Sequence, residues 1–240
     1  AHTEFVCYIL NKQLPSSTKV VLNADDLICS GLFPNNKDRT YFGVSADRPE
    51  NGAATDEALR DIVYCPKCGA KLEMEYVRYN HIGRHHCSSC GFASPKPDYD
   101  VTAINREKGT FTVTHNGVDE EYKIVNDNII NIYNSCAVIS VLHTFGLDYE
   151  KIHNAFETVK IVSSRFDIKK VGDYTIIGQL AKGQNPVACA MAYRYVASYK
   201  TADPEAKKSV LVLVDDVGDN SGNSESTCWL YDCDYSALCS

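Results

Sequence analysis

The feature that most constrains this chain is a pair of Cys-x-x-Cys sequences within residues 64–92, YCPKCGAKLEMEYVRYNHIGRHHCSSCGF. The four thiols belong to Cys65, Cys68, Cys87 and Cys90, and a glycine follows each pair. Zinc prefers four soft ligands in a tetrahedron, and thiolates supply them. A glycine in this position permits the tight turn whose backbone amides face the sulfurs. The spacing therefore predicts a structural four-cysteine zinc ribbon, whose filled shell leaves no open position for catalysis at the metal.

The cysteine segment has two other interpretations. Thioredoxin-like redox pairs belong at a strand-to-helix junction, and neither pair lies at one. His81, His85 and His86 are further candidate ligands in place of a thiolate, although four cysteines already complete the shell. The alternative for these histidines is a solvated loop.

Composition narrows the class of protein. The chain has 240 residues, and 44% of them are apolar, which is enough for a substantial core. Its formal net charge of −7 argues against a strongly basic nucleic-acid surface. The odd count of eleven cysteines argues against a secreted disulfide scaffold, so we expect a reducing cytoplasm, with Cys136 and Cys189 as small buried residues on helices. No apolar run approaches the roughly 20 residues that cross a bilayer.

The hydrophobic pattern predicts a mixed α/β fold. We expect a helix over 3–14 and strands in TKVVLNADD and RTYFGVS. Turn signals at Lys108-Gly109 and Asn116-Gly117 divide residues 101–124 into three short strands, because Asn-Gly is a strong hairpin signal.

The rest of the chain is predicted to alternate between helices and strands. A helix over about 131–145 carries Val138, Val141, Leu142 and Phe145 on one side and ends at Gly146, and DYEKIHNAFETV forms a second helix. DYTIIGQLAKGQNPVACAMAYRYVASY indicates a strand, a loop and a helix. KKSVLVLVDD is typical of a buried parallel strand, so we expect an α/β unit whose later strands are missing.

Several stretches together resemble the Mur ligase superfamily, and more closely its MurT-type subunits of lipid II isoglutaminyl synthase. An inserted four-cysteine ribbon is also a feature of that subunit. The resemblance covers nearly the whole chain, and its motifs, in order, are VVLNADD, NIYNSCAVISVLHTFGL, SSRFD, LAKGQNPVACA and VLVLVDDVGDN followed by CWLYDCDY.

The resemblance implies a domain organisation. Residues 1–163 are expected to form part of a Mur ligase central domain with the ribbon inserted at 64–92, and residues 164–240 part of an α/β C-terminal domain that docks the amidotransferase partner. The chain contains no G-x-x-x-x-G-K-[ST] phosphate loop, which the family carries upstream. We therefore expect a piece of a longer protein that lacks ATPase activity alone.

The resemblance also implies a reaction in peptidoglycan biosynthesis. The ligase subunit uses ATP and Mg²⁺ to convert the α-carboxylate of D-glutamate in the lipid II stem peptide to an acyl phosphate. Ammonia, released from glutamine by a separate glutaminase subunit, then forms D-isoglutamine. The protein would thus be a carbon–nitrogen ligase with glutamine as amido donor, cytoplasmic and acting at the inner membrane face.

Residue roles follow from the resemblance position by position. Asn131 and Asn134 match amides that face the nucleotide in the family, and their structural alternatives are a helix N-cap and a polar surface residue. Arg165, Lys182 and Asn185 match phosphate- and nucleotide-directed residues, and the alternative is an ordinary surface position.

An acidic strand end supplies the remaining candidate. Asp216 resembles the third member of the partner's Cys-His-Asp triad, where it would orient the histidine, with Asp215 and Asp219 as alternatives. Asn23, Asp25 and Asp26 are expected to be structural residues at the end of a strand.

A different class of function competes with the ligase. The chain could be a zinc-ribbon binding module for protein or nucleic acid, because Tyr76, Arg78, Tyr79 and Arg84 form a small basic and aromatic patch in the sequence. An ordinary amino-acid-adding ligase of the same superfamily is a third candidate, against which the AKGQNPVA loop and the acidic strand end argue by resemblance.

Overall fold

The computed structural model describes residues 2–48, 62–79, 81–160, 166–180, 185–201, 206–214 and 227–238. The chain divides into two compact units, 1–160 and 161–240, and each is described by itself. The predicted functional residues Arg165, Lys182, Asp215, Asp216 and Asp219 lie outside the described residues.

The first unit is built on a five-stranded mixed sheet. Its strands lie in the order β1-β2-β5-β6-β7, of which β1, β2 and β5 are parallel and the last two antiparallel. A separate antiparallel hairpin, β3–β4, carries the cysteine turns. The bounds are β1 Val20–Asn23, β2 Arg39–Val44, β3 Glu73–Tyr79, β4 Ile82–His86, β5 Tyr99–Asn105, β6 Thr110–His115 and β7 Val118–Lys123.

Four helices accompany these strands in the first unit's described residues. They are α1 His2–Gln13, α2 Leu27–Ser30, α3 Ile129–Thr144 and α4 Tyr149–Thr158. The predicted strands and helices of this part of the chain are therefore confirmed, and α2 is an additional short helix that the sequence pattern did not predict.

Turn chemistry sets the two antiparallel hairpins of the sheet. Asn116 and Gly117 both have positive φ, 50° and 78°, as a two-residue type I′ turn requires. Gly109, with φ 70°, closes the turn between β5 and β6. The two turn predictions are confirmed.

The face by which α3 enters the core differs from the predicted one. Ile132, Cys136 and Ile139 are at most 1% exposed, whereas Val138 and Phe145 are 49% and 80% exposed. Apolar residues of the helix itself lie on all its sides, so hydrophobic periodicity alone does not predict which face is buried. The buried face is the one with a small residue, because the Cys136 thiol packs against the carbonyl oxygens of Gly43 and Tyr99, both at 3.7 Å.

The second unit's described part contains a hairpin, a helix and two 3₁₀ turns. Strand β8, Phe166–Val171, pairs antiparallel with β9, Tyr174–Gln179, and α5, Pro186–Ser198, follows. The 3₁₀ turns span Cys228–Asp232 and Ser236–Leu238.

The predicted buried strand in KKSVLVLVDD is wrong for its described residues. Residues 206–214 form no strand, and Leu211 and Leu213 are 81% and 84% exposed. A strand needs a neighbour to accept its backbone hydrogen bonds, and none of the described residues pairs with this run. The parallel α/β unit expected here is therefore not observed in the described part.

Candidate functional site

The two cysteine turns have the same backbone structure. In the first, the Cys65 amide donates to the carbonyl of Ala70 at 2.7 Å and the Gly69 amide to the carbonyl of Cys65 at 2.9 Å. The second repeats these bonds at 2.7 and 2.9 Å, from Cys87 to Phe92 and from Gly91 to Cys87. Both glycines have positive φ, 75° and 70°, the conformation that the sequence predicts for them.

The turns bring four sulfurs together. All four Sγ atoms lie within 4.8 Å of one another, with Cys65 to Cys90 at 3.7 Å and Cys68 to Cys87 at 3.6 Å. Tetrahedral zinc with Zn–S bonds of about 2.3 Å places its sulfurs about 3.8 Å apart. The geometry of the chain therefore fits a four-coordinate thiolate site.

The electrostatics of the cluster also favour a cation. The Ala70 amide lowers the pKa of Cys68, but the neighbouring sulfurs and desolvation outweigh it and raise that pKa to about 12. The pKa of Cys65 moves the other way, because its desolvation is outweighed by hydrogen bonds from the Lys67 and Cys68 amides and from neighbouring thiols, which lower that pKa to about 7. Four thiolates at these distances repel one another unless a positive charge lies between them. A divalent ion would remove that repulsion and hold all four groups deprotonated.

The three histidines of the segment have other surroundings. His81 Nε2 lies 3.2 Å from Asp26 Oδ1, and His86 Nε2 lies 3.1 Å from Glu73 Oε2. His85 is 1% exposed, and burial lowers its pKa to about 4. Within the described residues, the group able to hold a metal consists of the four cysteines alone.

The hairpin β3–β4 is joined to the carboxyl end of β1 through Asp25, which is 1% exposed. Arg84 of β4 donates from Nη1 to Asp25 Oδ1 at 3.2 Å. The backbone amide of Val44 and the hydroxyl of Tyr133 donate to Oδ2 at 2.9 and 2.7 Å. Burial raises the pKa of Asp25, and these hydrogen bonds and the Arg84 charge lower it in part. The carboxylate thus depends on partners from three separate elements.

A second set of contacts joins the hairpin to the end of β2. Arg78 donates from Nη2 to the carbonyls of Val44, at 2.7 Å, and Ala46, and from Nη1 to the carbonyl of Asp47 at 2.9 Å. The Tyr76 hydroxyl donates to the same Val44 carbonyl at 3.1 Å. These side chains satisfy carbonyls that the parallel sheet leaves free.

These contacts correct the interpretation of a basic and aromatic surface patch. Tyr76 is 2% exposed, and the side chain of Arg84 is 15% exposed. Arg84 also donates to the carbonyl of Pro95 at 2.7 Å. Tyr76, Arg78 and Arg84 of the patch that suggested nucleic-acid binding turn inward, because they donate to backbone carbonyls and to Asp25 rather than to solvent, and the side chain of Tyr79 lies outside the described part.

The polar end of β1 has the structural roles expected of it. Asn23 Oδ1 accepts from the Asp25 amide at 3.0 Å, and Asp26 Oδ1 caps α2 by accepting from the Ile28 and Cys29 amides at 2.8 and 3.0 Å. Asp26 also forms an isolated bridge with Ile82 of the hairpin.

The predicted nucleotide-facing amides occupy different kinds of position. Asn131 is half-buried and Asn134 exposed on α3, three residues apart and hence on neighbouring turns of one side. The N-cap of α3 is Asn128, so neither residue has that role. Asn185 belongs to the other unit and caps α5, where its Oδ1 accepts from the Ala188 amide at 3.0 Å. Their part in nucleotide binding stays a prediction.

Sequence reasoning missed Tyr133 and the role of Arg84. The sequence places Tyr133 between the two asparagines on a helix, which is the only feature that draws attention to it. Nothing nearby in the sequence indicates that its hydroxyl donates to a carboxylate 108 positions away.

The chain was compared with known proteins by sequence. No protein-family model matches the chain. Over 220 residues, 92% of the chain, it is 30% identical to the lipid II isoglutaminyl synthase (glutamine-hydrolyzing) subunit MurT of Staphylococcus aureus. The subunit of the same name from Streptococcus pneumoniae is 26% identical over 231 residues, 95% of the chain. The resemblance to MurT is confirmed.

Solved structures give a consistent result. A pseudomurein peptide ligase type C from Methanothermus fervidus matches with a TM-score of 0.60 and 26% identity, over 76% of this chain and 34% of that one. The chain spans about half the length of the MurT subunits it matches, 46% and 47%. Among the described residues, no helix is both long and apolar enough to span a membrane.

Proposed function

We propose that the protein is the ATP-dependent subunit of a lipid II isoglutaminyl synthase, with a glutaminase subunit as its partner. The single observation that carries this proposal is the 30% identity with a MurT subunit over 92% of the chain. The ligase fold of the structural neighbour supports it. Cytoplasmic action at the inner membrane face follows from the same proposal, because lipid II would be its substrate.

The proposed reaction has two steps. The α-carboxylate of D-glutamate attacks the γ-phosphorus of ATP, which releases ADP and leaves an acyl phosphate. Ammonia then adds to the acyl carbon and phosphate departs, leaving the amide of D-isoglutamine. Mg²⁺, when bound, would supply positive charge to the transferring phosphoryl group, and Lys182 and Arg165 are the residues proposed to stabilise that group from the protein.

The remaining residues divide between nucleotide binding, partner activation and scaffold. Asn131, Asn134 and Asn185 are proposed to contact the nucleotide, since an amide offers both a donor and an acceptor. Asp216 is proposed to complete the partner's triad. The four cysteines would hold structural Zn²⁺, which supplies cross-linking of two turns and no step of the reaction.

Amidation of lipid II tests the proposal. The full-length protein is mixed with a glutaminase partner, ATP, Mg²⁺ and glutamine, and the stem peptide is analysed by mass spectrometry. We expect amidation that requires ATP, and Asn131→Ala should raise KM for ATP while Asn154→Ala, an exposed asparagine on α4, leaves it unchanged. Absence of amidation even with free ammonia in place of glutamine would contradict the ligase assignment.

The role of Asp216 is tested separately by the nitrogen source. Asp216→Asn should abolish amidation with glutamine and keep amidation with free ammonia, because the partner's nucleophile loses its activation while the ligase chemistry is intact. Full glutamine-dependent activity in this variant would remove the triad assignment.

A further inference from the structure

The hairpin β3–β4 carries the metal-competent cysteines at one end and the partner of a buried carboxylate on its strand β4. Arg84 is three positions before Cys87, and its guanidinium meets Asp25 at 3.2 Å. The two side chains are 15% and 1% exposed. An ion pair this well removed from water leaves a costly unpaired charge if either partner withdraws.

Backbone contacts fix the hairpin at the same place. The Gly83 amide donates to the carbonyl of Asp25 at 2.8 Å. A Cβ at Gly83 would lie 2.1 Å from the carbonyl oxygen of Tyr76, so the two strands of the hairpin approach too closely for any other residue. The sheet edge and the hairpin therefore meet through main chain as well as side chains.

Beyond Asp25, the hairpin is held by Arg78 and Tyr76, which donate hydrogen bonds to the end of β2, and by Ile82, which belongs to the main core. The end that carries the cysteines has only a small apolar cluster of its own. Its buried apolar cluster consists of Cys65, Leu72, Cys87 and, from α2, Leu27. An isolated two-stranded hairpin is marginal in water, and half of this cluster is metal-competent cysteine. Metal binding by such a small element supplies folding free energy directly.

The contacts continue from Asp25 into α3. Tyr133, 4% exposed, donates its hydroxyl to the same carboxylate, and it lies between Asn131 and Asn134 in the sequence. A change at the hairpin thus reaches the helix that carries both predicted nucleotide-facing amides through Tyr133, and Arg78 of the hairpin also contacts this residue, with its guanidinium 5.9 Å from the ring centroid.

We propose that metal binding by the four cysteines orders the carboxyl end of the central sheet. In this proposal the ion pair between Arg84 and Asp25 couples the metal site to the sheet. Arg84 is a positioning residue, which acts through Asp25 and Tyr133 and touches no reacting atom. The consequence for nucleotide binding rests on the proposed function, whereas the coupling between metal and sheet edge does not.

Hydrogen exchange followed by mass spectrometry tests the coupling on the 240-residue chain, loaded with Zn²⁺ or treated with a zinc chelator. On chelation, we expect the rate of amide exchange to rise in the ribbon. At residues 20–26 and 43–47 it should rise by about tenfold or more, which corresponds to a tenfold change in the equilibrium constant for local opening. Residues 110–123, in β6 and β7, serve as the reference and should not change.

Variants distinguish the contribution of the Arg84–Asp25 ion pair from that of the metal site. Arg84→Met should raise exchange at residues 20–26 in the zinc-loaded chain, and chelation should then add little, because coupled changes are not additive. Arg84→Lys keeps the charge but cannot reach both Asp25 and the Pro95 carbonyl, which Arg84 contacts through Nη1 and Nη2. A smaller rise in exchange is expected for it, and this variant carries the test if the methionine variant does not fold. Glu73→Gln removes an exposed charge beside His86 and Ser88 on the same hairpin and keeps a side chain that can hydrogen-bond, so it is the matched control and should behave as the unaltered chain.

Three results would overturn the inference. The first is a ribbon that loses protection while residues 20–26 keep theirs. The second is an equal rise in the reference strands, which would mean that the metal holds the whole unit rather than this edge. The third is a chain that binds no zinc at all. None of these readouts uses amidation, so their failure is distinct from failure of the ligase proposal.

Discussion

At the scale of single residues, the hydroxyl of Tyr133 is the contact with the clearest energetic consequence. It donates to a carboxylate that is 1% exposed, and a hydrogen bond to a charged group contributes about 1.5–3 kcal/mol. Tyr133→Phe should therefore lower the free energy of unfolding by about that amount, measured by urea denaturation.

Tyr149→Phe is the matched control for this prediction. The Tyr149 hydroxyl donates to the carbonyl of Glu121 at 3.1 Å in an exposed setting, so its loss should cost no more than about 1 kcal/mol. Equal effects of the two substitutions would show that the Asp25 carboxylate finds another donor.

The glycines of the cysteine turns give a second prediction at this scale. Gly69 and Gly91 have positive φ and no neighbour within 4 Å of an added Cβ, so Gly69→Ala and Gly91→Ala introduce backbone strain alone. Each should weaken zinc binding by about 1–2 kcal/mol, roughly 5- to 30-fold in Kd, measured by competition with a chromophoric chelator.

Gly31, with φ −83°, is the control for these turns. Gly31→Ala requires no unfavourable backbone conformation and should leave zinc affinity unchanged. A Gly69 variant that binds zinc as tightly as the unaltered chain would show that the turn does not need its left-handed residue.

At the scale of elements, α3 shows what its sequence does and does not specify. Its existence and its end at Gly146 follow from apolar content and a glycine with φ 84°. Its orientation does not, because valines and isoleucines lie on every side. The orientation is set by the fit of Cys136 against Gly43 and Tyr99, residues 93 and 37 positions away.

Paired substitutions on α3 test the observed orientation. Ile139 is fully buried and Val138, its neighbour, is 49% exposed. Ile139→Ala should destabilise the chain by about 2–5 kcal/mol, whereas Val138→Ala should change stability by less than about 1 kcal/mol. Thermal unfolding of the two variants measures the difference, and a reversed order would restore the face that the sequence pattern favours.

The cysteine ribbon is the element that the sequence specifies best. Both turns are encoded by residues adjacent in the chain, so spacing alone predicts their structure. The docking of the ribbon is not encoded locally, because Arg84 and Asp25 are 59 positions apart and each has ordinary neighbours. For the same reason the sequence KKSVLVLVDD at 207–216 predicts a strand that its described residues do not form, since the sequence does not show whether a pairing neighbour exists.

At the scale of the whole molecule, the residues that support the sheet edge are separate from those proposed to carry the reaction. The cysteines lie in a hairpin whose inner side holds the carboxyl ends of β1 and β2, and no residue proposed to contact the nucleotide belongs to that hairpin. By the proposed function, the chemistry belongs to Asn131 and Asn134 of α3, to Arg165, Lys182 and Asn185, and to Asp216. The central claim is therefore that the metal centre is closed and structural.

X-ray absorption at the zinc edge of the loaded 240-residue chain tests that claim most directly. We predict one zinc site with four sulfur scatterers at about 2.3 Å and no nitrogen or oxygen atom bound to the zinc. A site with three sulfurs and one light atom at about 2.0–2.1 Å, from a histidine or a water, would contradict it, because it would mean an open or mixed coordination sphere.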